Sequence, residues 1–532
     1  MTTIPTRSGN GEFSLSTLAS HFLFPHYSTT PLLRFRIPDG FAPQAVFEHS
    51  FYASWGRVPR LTQIEIDGNI LTVRPDTRGT GTYHLPLVHK RFGLIVKSTE
   101  TLMQRLKPYH LTKELARGEL GRILRRLFEW EMIGFAPSKE LKKNIHDFVR
   151  RFSRVAISDE LDQKTDSESM KLLYELGDMS LNLSDQYINQ MISLRKRDPA
   201  RFNAVPFGVF VDYGKRSEAI MLNEPTRSQI SETFDFMISA PTWKEDEPSI
   251  GKYKWDKIEN HLNLAEKLGM TSIIGPILAF DPNKLPSSIR GSIDDLESFE
   301  IAAIKYTQAI VRKFRKRNRK WILSGRFFSC PDCGFSIGRG VSLICDLAKE
   351  VRNLDSKGTI FVGIDQPWGD YYRANDCLLP IVAIVETLAS VEQIDGFILE
   401  VNLGLDSRST LPRDPLTLGK LIDLWGIWGK QLYVSLSVPS ELGSNSNFPD
   451  EYIGSSFVWN SEFQREWAER YVLMLLSKRN VKGIFWNPLT DTPSDSIEWF
   501  DPLPHLYYSG LMDSTGRMKP AMHKLTALKK IP

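Results

Sequence analysis

After Pro206 the sequence alternates, eight times over, between a short apolar run and an amphipathic segment. The runs are Phe207 to Tyr213, Phe234 to Ser239, Ser272 to Ala279, Trp321 to Phe327, Thr359 to Ile364, Gly396 to Leu403, Gln431 to Ser437 and Gly483 to Trp486. Segments such as Trp255 to Leu268, Asp294 to Lys316, Val341 to Asn353 and Glu462 to Ser477 show helical spacing between them. Apolar strands separated by helices bury both faces of a parallel sheet. Eight such units in ~320 residues predict a (β/α)8 barrel, whose chemistry sits where strands end and loops begin. A doubly wound sheet is the other arrangement this pattern permits.

The preceding residues follow different rules. From 31 to 99, short runs rich in Phe, Tyr, Ile and Val dominate: Leu32 to Ile37, Val46 to Trp55, Gln63 to Ile66, Ile70 to Val73, Tyr83 to Val88 and Phe92 to Val96. Asp67-Gly68-Asn69 is a hairpin signal, so a small antiparallel β unit is expected. Helical periodicity runs from about 110 to 200: Leu111, Leu115, Leu120, Ile123, Leu124, Leu127 and Trp130, then Ser138 to Val155 and Asp166 to Arg197. Arg117, Arg122, Arg125 and Arg126 cluster on the first helix, but no stacking aromatics interleave with them, which favours a solvated face over nucleic-acid binding. Two domains follow, an α+β region over 1–205 and the barrel over 206–532.

Composition removes several function classes. The 67 basic and 63 acidic side chains nearly cancel and exert no global pull on nucleic acid or anionic lipid. Four cysteines exclude a disulfide scaffold and fit a reducing compartment. Cys330 and Cys333 form a Cys-x-x-Cys pair which, with Cys345 and Cys377, gives four conceivable zinc ligands, at spacings unlike a zinc ribbon. Reduced structural thiols are the other reading. His21, His84, His146, His261 and His505 make no ligand motif, and Gly338-Arg339-Gly340 lacks the rest of a phosphate loop, so no cofactor is implied. No apolar run reaches the ~18 residues of a membrane span, and the first residues lack an apolar signal core. A cytoplasmic location is expected.

Four stretches of the barrel region carry a resemblance. They are Trp243-Lys244-Glu245-Asp246-Glu247-Pro248 through Gly251; Gly275-Pro276-Ile277-Leu278; Gly396 through Leu403; and Val481 through Trp486 with Asp491, Leu511-Met512-Asp513 and Lys519-Pro520-Ala521. In order and spacing these resemble glycoside hydrolase family 10, the endo-β-1,4-xylanases, over roughly residues 206 to 530. The resemblance implies a (β/α)8 barrel and a retaining mechanism, in which one carboxyl protonates the leaving oxygen and a second attacks the anomeric carbon. In that family both are Glu residues, at the ends of strands four and seven. The corresponding segments here are Trp321-Ile322-Leu323-Ser324-Gly325-Arg326 and Val434-Ser435-Leu436. Arg326 thus occupies the acid/base position and Leu436 the nucleophile position. A guanidinium donates no proton at neutral pH, and leucine has no nucleophilic atom.

The supporting positions have also changed. Thr242, Pro276, Phe280, Asp281, Glu400 and Asn402 stand where the family has Lys, His, Trp, His, Gln and His. Asp365 and Glu400, at the ends of strands five and six, are candidates for a relocated acid/base pair, with Asp281 as another carboxylate. Alternatively Asp365 caps its loop and Glu400 pairs with Arg326. The Gln366-Pro367-Trp368-Gly369-Asp370-Tyr371-Tyr372 loop offers sugar stacking and hydroxyl binding, or a packed rim. Trp243, Glu247, Gln366, Trp368, Asn402 and Trp486 are the candidate carbohydrate contacts, although Trp243 suits the core equally. The expectation is a family-10-like barrel without its catalysis, retaining a carbohydrate-binding cleft. An active hydrolase built on Asp365 and Glu400 and an interaction scaffold presenting the Arg117 to Arg126 helix are the alternatives. The sequence does not define an oligomeric state.

Overall fold

The computed structural model describes residues 32 to 531 except 43, 55–57, 91–92, 159–162, 200–203, 212–214, 282–283, 291–295, 328–335, 371–379, 405–407, 442–458 and 493–505. Eight parallel strands close into a barrel. In chain order they are Phe207–Phe210, Phe236–Ser239, Thr271–Ile274, Lys320–Ile322, Thr359–Ile364, Gly396–Asn402, Gln431–Ser437 and Val481–Trp486, hereafter barrel strands one to eight. The first pairs with the eighth, matching Gly208 to Phe485. The doubly wound alternative is thereby excluded. Strands three and four are shorter than the apolar runs suggested. After Gly275-Pro276 the chain pairs again, Leu278–Ala279 alongside Ser324–Gly325, above the barrel proper.

Strand alternation divides the core in two. Ile238, Ile273, Ile322, Phe361, Ile398, Tyr433 and Phe485 fill the barrel interior. The intervening side chains, among them Met237, Trp321, Val362, Ile364, Leu399, Val434 and Leu436, face outward against the helices. Gly208 exists for the first group: a Cβ there would stand 2.4 Å from the Phe485 ring.

Among the described residues the N-terminal region holds two sheets and three long helices. Strand structure continues past residue 99, through Leu102–Met103 and Arg105–His110, although Arg105, Lys107 and Pro108 hide it from an apolar count. The expected run at Val46 begins instead as a short helix, Gln44–Glu48, before the strand Phe51–Ser54. Leu33–Arg36 runs parallel to Arg105–His110, so the unit is mixed rather than wholly antiparallel. The helices Leu111–Met132, Lys139–Ala156 and Gln163–Arg197 lie where periodicity placed them.

One apolar cluster joins these helices to the barrel, including Leu120, Ile123, Trp130, Leu176 and Tyr187 together with Val209, Leu416 and Trp467. Trp130 stacks on Tyr187 with ring centroids 3.8 Å apart. The arginine cluster divides: Arg117 and Arg125 lie on the solvated face expected, while Arg122 and Arg126 turn toward the barrel. Arg126 is buried and bonds Glu129 at 2.8 Å and Asp423, on a barrel helix, at 2.9 Å. Arg122 pairs with Glu119 and reaches Asp414 at 3.9 Å, while Lys97 lies 2.9 Å from Glu119 and 3.5 Å from Asp414. Burial alone would raise the Asp414 carboxyl, but Lys97 and Arg122 hold it below the usual carboxylate range. The outer face of the same helix presents exposed Leu124, Phe128, Met132 and neighbouring Ile133. Among the described residues no helix is long and apolar enough to cross a membrane.

Candidate functional site

Strand register assembles a polar row above the apolar plug of the barrel. Ile364 pairs with Leu399, which sets Asp365 beside Glu400 one residue further along. Glu400 pairs with Ser435, and Asn402 with Ser437. Phe361, Ile398 and Tyr433 point inward, so alternation turns Asp365, Glu400, Asn402, Ser435 and Ser437 to the same side, at the C-terminal mouth. Gly363 lies under this row. A Cβ there would meet the Ser324 carbonyl oxygen at 2.5 Å and Glu400 Oε1 at 3.4 Å.

The electrostatics follow from that crowding. Asp365 is 2% exposed, and Glu400 keeps partial contact with solvent. Burial pushes the Glu400 carboxyl up to about 7, and the Asp365 charge adds to the rise. The positive charge of Arg326 and a 3.5 Å hydrogen bond from Asn402 Nδ2 to Glu400 Oε2 oppose it. Near neutral pH the pair can therefore hold a proton. Several buried polar atoms around it lack a protein partner: Asn402 Oδ1 and the hydroxyls of Ser324, Ser435 and Ser437. Buried polar atoms left in that state are uncommon and mark places where a further polar group fits.

Arg326 does not pair with Glu400. Its Nη1 donates to Asp281 Oδ2 at 2.8 Å, and Asp281 is 2% exposed. Its φ is +58°, the one positive value at a non-glycine position among the described residues. A side chain in the left-handed region is strained by about 1–2 kcal/mol. Leu436 does not line the mouth. It is fully buried on the outward face, and strand seven presents Ser435 and Ser437 inward instead. Leu436 therefore lies on strand seven but faces the helix layer, one residue out of parity with the mouth.

The other candidates occupy separate places. Trp243 is 3% exposed and stacks on Tyr306 at 4.9 Å, with its Nε1 donating to Glu247 Oε2 at 2.6 Å. Glu247 Oε1 also accepts from the Gly251 amide, so both its oxygens hold their own loop. Trp486 is buried on the outward side and donates to the Ser509 carbonyl at 2.9 Å. Gln366 and Trp368 are buried as well. Gln366 Nε2 donates to the Ser409 carbonyl at 2.9 Å, and Asp370 pairs with Arg413, fastening this loop to the one after strand six. Of the six expected contacts, Asn402 alone joins the polar row. Tyr371, Tyr372, Cys330, Cys333 and Cys377 lie outside the described residues. Cys345 is a half-buried free thiol whose pKa burial raises, and no group of three metal-ligating side chains occurs among the described residues.

Ser324, Ser435 and Ser437 were absent from the sequence-based candidates. Their signal was present: in Leu432-Tyr433-Val434-Ser435-Leu436-Ser437 the small polar residues share one parity. Asp246 and Asp491 are further carboxyls that burial pushes up to about 6. Asp246 accepts from the Tyr306 hydroxyl and the Thr242 amide, and Asp491 pairs with Lys519 at 2.6 Å.

These features define the class: a (β/α)8 barrel with a carboxyl-bearing polar row at its C-terminal mouth. In three dimensions the chain is similar to family 10 xylanases. Xylanase 10B from Thermotoga maritima is 15% identical over 62% of this chain and 95% of its own, with a TM-score of 0.43. A xylanase 10B from Thermotoga petrophila, solved with xylobiose, is 16% identical over 62% and 95%, TM-score 0.41. A family 10 structure from Paenibacillus barcinonensis is 17% identical over 62% and 96%, TM-score 0.44. No protein-family model matches the sequence. No curated protein matches it.

Proposed function

We propose that this chain is a catalytically degenerate, glycosidase-like barrel that binds carbohydrate at its mouth without cleaving it. One observation carries the reading: at the ends of strands four and seven the inward positions hold Arg326, tied to Asp281, and the serines Ser435 and Ser437. Double displacement needs a carboxyl at each of those places, ~5 Å apart across the scissile bond. A serine hydroxyl and an amide can instead bond sugar hydroxyls in both senses, which suits Asn402, Ser435 and Ser437. A cytoplasmic setting accords with four cysteines in 532 residues, and cell fractionation checks it. The functional test is a glycan array run beside a hydrolysis screen on aryl β-xylosides and xylo-oligosaccharides. Binding without turnover is expected, and turnover abolished by Arg326→Ala would overturn the proposal.

A second reading draws support from Glu400. A carboxyl titrating near 7 beside Asp365 has the character of a general acid, as a relocated hydrolase would need. Turnover that vanishes in both Asp365→Asn and Glu400→Gln, and that falls on the alkaline limb as pH rises through about 7, would establish it in place of the first.

A further inference from the structure

Helix Leu111–Met132 keeps one apolar row out of the core. Leu124, Phe128 and Met132 recur every four residues along it, and Ile133 caps its end. These four are 39%, 64%, 72% and 70% exposed, whereas Ile123 and Trp130 on the other side of the helix are buried in the core shared with the barrel. Elsewhere on the described helices large apolar side chains surface singly or far apart, as Tyr174 and Leu194 do on Gln163–Arg197. A fully exposed side chain of this size offers about 200 Å², so the four together present roughly 500 Å², near the upper end of what a monomer leaves uncovered.

Charge decides what can cover such a patch. The ionic side chains flanking it are closed into pairs within the chain: Arg125 with Glu100 at 2.8 Å, Arg117 with Glu114, and Glu131 with Lys142 at 2.6 Å. The rim thus carries both signs in balance. Anionic lipid and nucleic acid are drawn by an excess of cations, which this rim lacks. A two-fold contact sets a face against its own copy, so an unbalanced rim would repel and a balanced one does not. The shape agrees. Leu124, Phe128 and Met132 form one ridge at i, i+4 spacing, and two such ridges interdigitate at about −50°, the commonest helix crossing in globular proteins. Two patches bring about 1,000 Å² of apolar surface together, which reaches the lower limit of a specific interface.

We propose that the chain forms a two-fold dimer through this face of Leu111–Met132, with Phe128 and Met132 as its anchors. Each anchor counts twice across the axis. None of the four side chains belongs to the buried apolar clusters, so replacing them leaves the fold of each copy intact.

Sedimentation velocity on the full chain, between about 1 and 100 μM, measures the association. At the upper end the wild type should sediment with twice the mass of the chain. Phe128→Lys and Met132→Lys should each raise the dissociation constant at least about a hundredfold, because each removes an anchor from both copies and sets like charges together. Ile301→Lys, which charges an exposed apolar site on the barrel helix Leu296–Phe314, should leave it unchanged. Far-UV circular dichroism verifies folding, and Phe128→Ser replaces a lysine variant that fails this check. A wild type monomeric throughout the range overturns the inference; flotation of that monomer with vesicles of phosphatidylcholine and phosphatidylserine would assign the patch to a lipid surface instead. A dimer that survives both anchor substitutions also overturns it, since association then runs through another face.

Discussion

Arg326 donates to Asp281 across 2.8 Å from a backbone held at φ +58°. The contact joins the loop after strand three to the end of strand four. A strained residue persists where surrounding contacts over-determine it, and here the contact is an ion pair with a carboxylate 2% exposed.

The two partners of that bond are unequally buried, and truncation should show it. Arg326→Ala removes a cation from the buried Asp281 carboxyl and is expected to destabilise by about 3 kcal/mol. Asp281→Ala leaves a guanidinium that still reaches water, with a loss of about 1 kcal/mol. Arg326→Gly should recover about 1 kcal/mol relative to Arg326→Ala, because glycine accepts positive φ without strain. Urea unfolding of the three variants measures this; equal losses for Arg326→Ala and Asp281→Ala would contradict the assigned burial.

Glu400 makes stability depend on pH in a defined direction. Its ordinary value is 4.5, and in the fold it titrates near 7, so the folded state binds more protons between those limits. Its contribution is complete below about pH 4.5 and is lost as pH rises through 7. Glu400→Gln should therefore gain on the wild type by about 2 kcal/mol over that interval, allowing for partial exposure of the carboxyl. Asp246 and Asp491 titrate in the same sense in both proteins and cancel from the difference. A difference in unfolding free energy that is flat from pH 4.5 to 7 would remove the coupling from Glu400.

Lys97, Glu119, Arg122 and Asp414 tie the N-terminal region to the barrel through buried charge. Lys97→Met leaves two buried carboxylates to one arginine and should destabilise by about 3 kcal/mol. Because one apolar core crosses the boundary, thermal unfolding of the wild type is expected as a single transition. Calorimetry resolving two separated transitions would show that the two regions fold independently.

Gly363 is the tightest point beneath the polar row. Gly363→Ala places a methyl 2.5 Å from a backbone carbonyl that cannot swing aside. Overpacking of this kind typically lowers stability by about 1–3 kcal/mol. Circular dichroism melts will register it, and an unchanged midpoint would mean that strands four and five are further apart than described.

Much of this was legible beforehand. Alternating apolar runs located all eight strands and the long helices, because burial of both sheet faces leaves few ways to distribute hydrophobic residues. Charge-rich elements were harder. Arg105–His110 is a strand held by pairing to Leu33–Arg36, a contact with no local trace. The arginines of Leu111–Met132 have the sequence of a wet helix face, and the barrel partners of Arg122 and Arg126, Asp414 and Asp423, are nearly 300 residues away. Asp365 and Glu400 were candidates from strand-end position, and Asn402 from the family resemblance on strand six. Trp243, Trp368 and Trp486 were not distinguishable from sugar-stacking residues until their neighbours in space were known.

The sequence alone determined the barrel and its order of elements, and it places Arg326 and Leu436 at the ends of strands four and seven, since each depends on residue identity and local periodicity. Tertiary structure decided which way those residues face and what they hold. A one-residue difference in parity turns Leu436 into the helix layer and Ser435 into the mouth, and the choice between Glu400 and Asp281 as partner of Arg326 is one of distance. Facing and distance come from register between strands far apart in the chain, which no local pattern encodes.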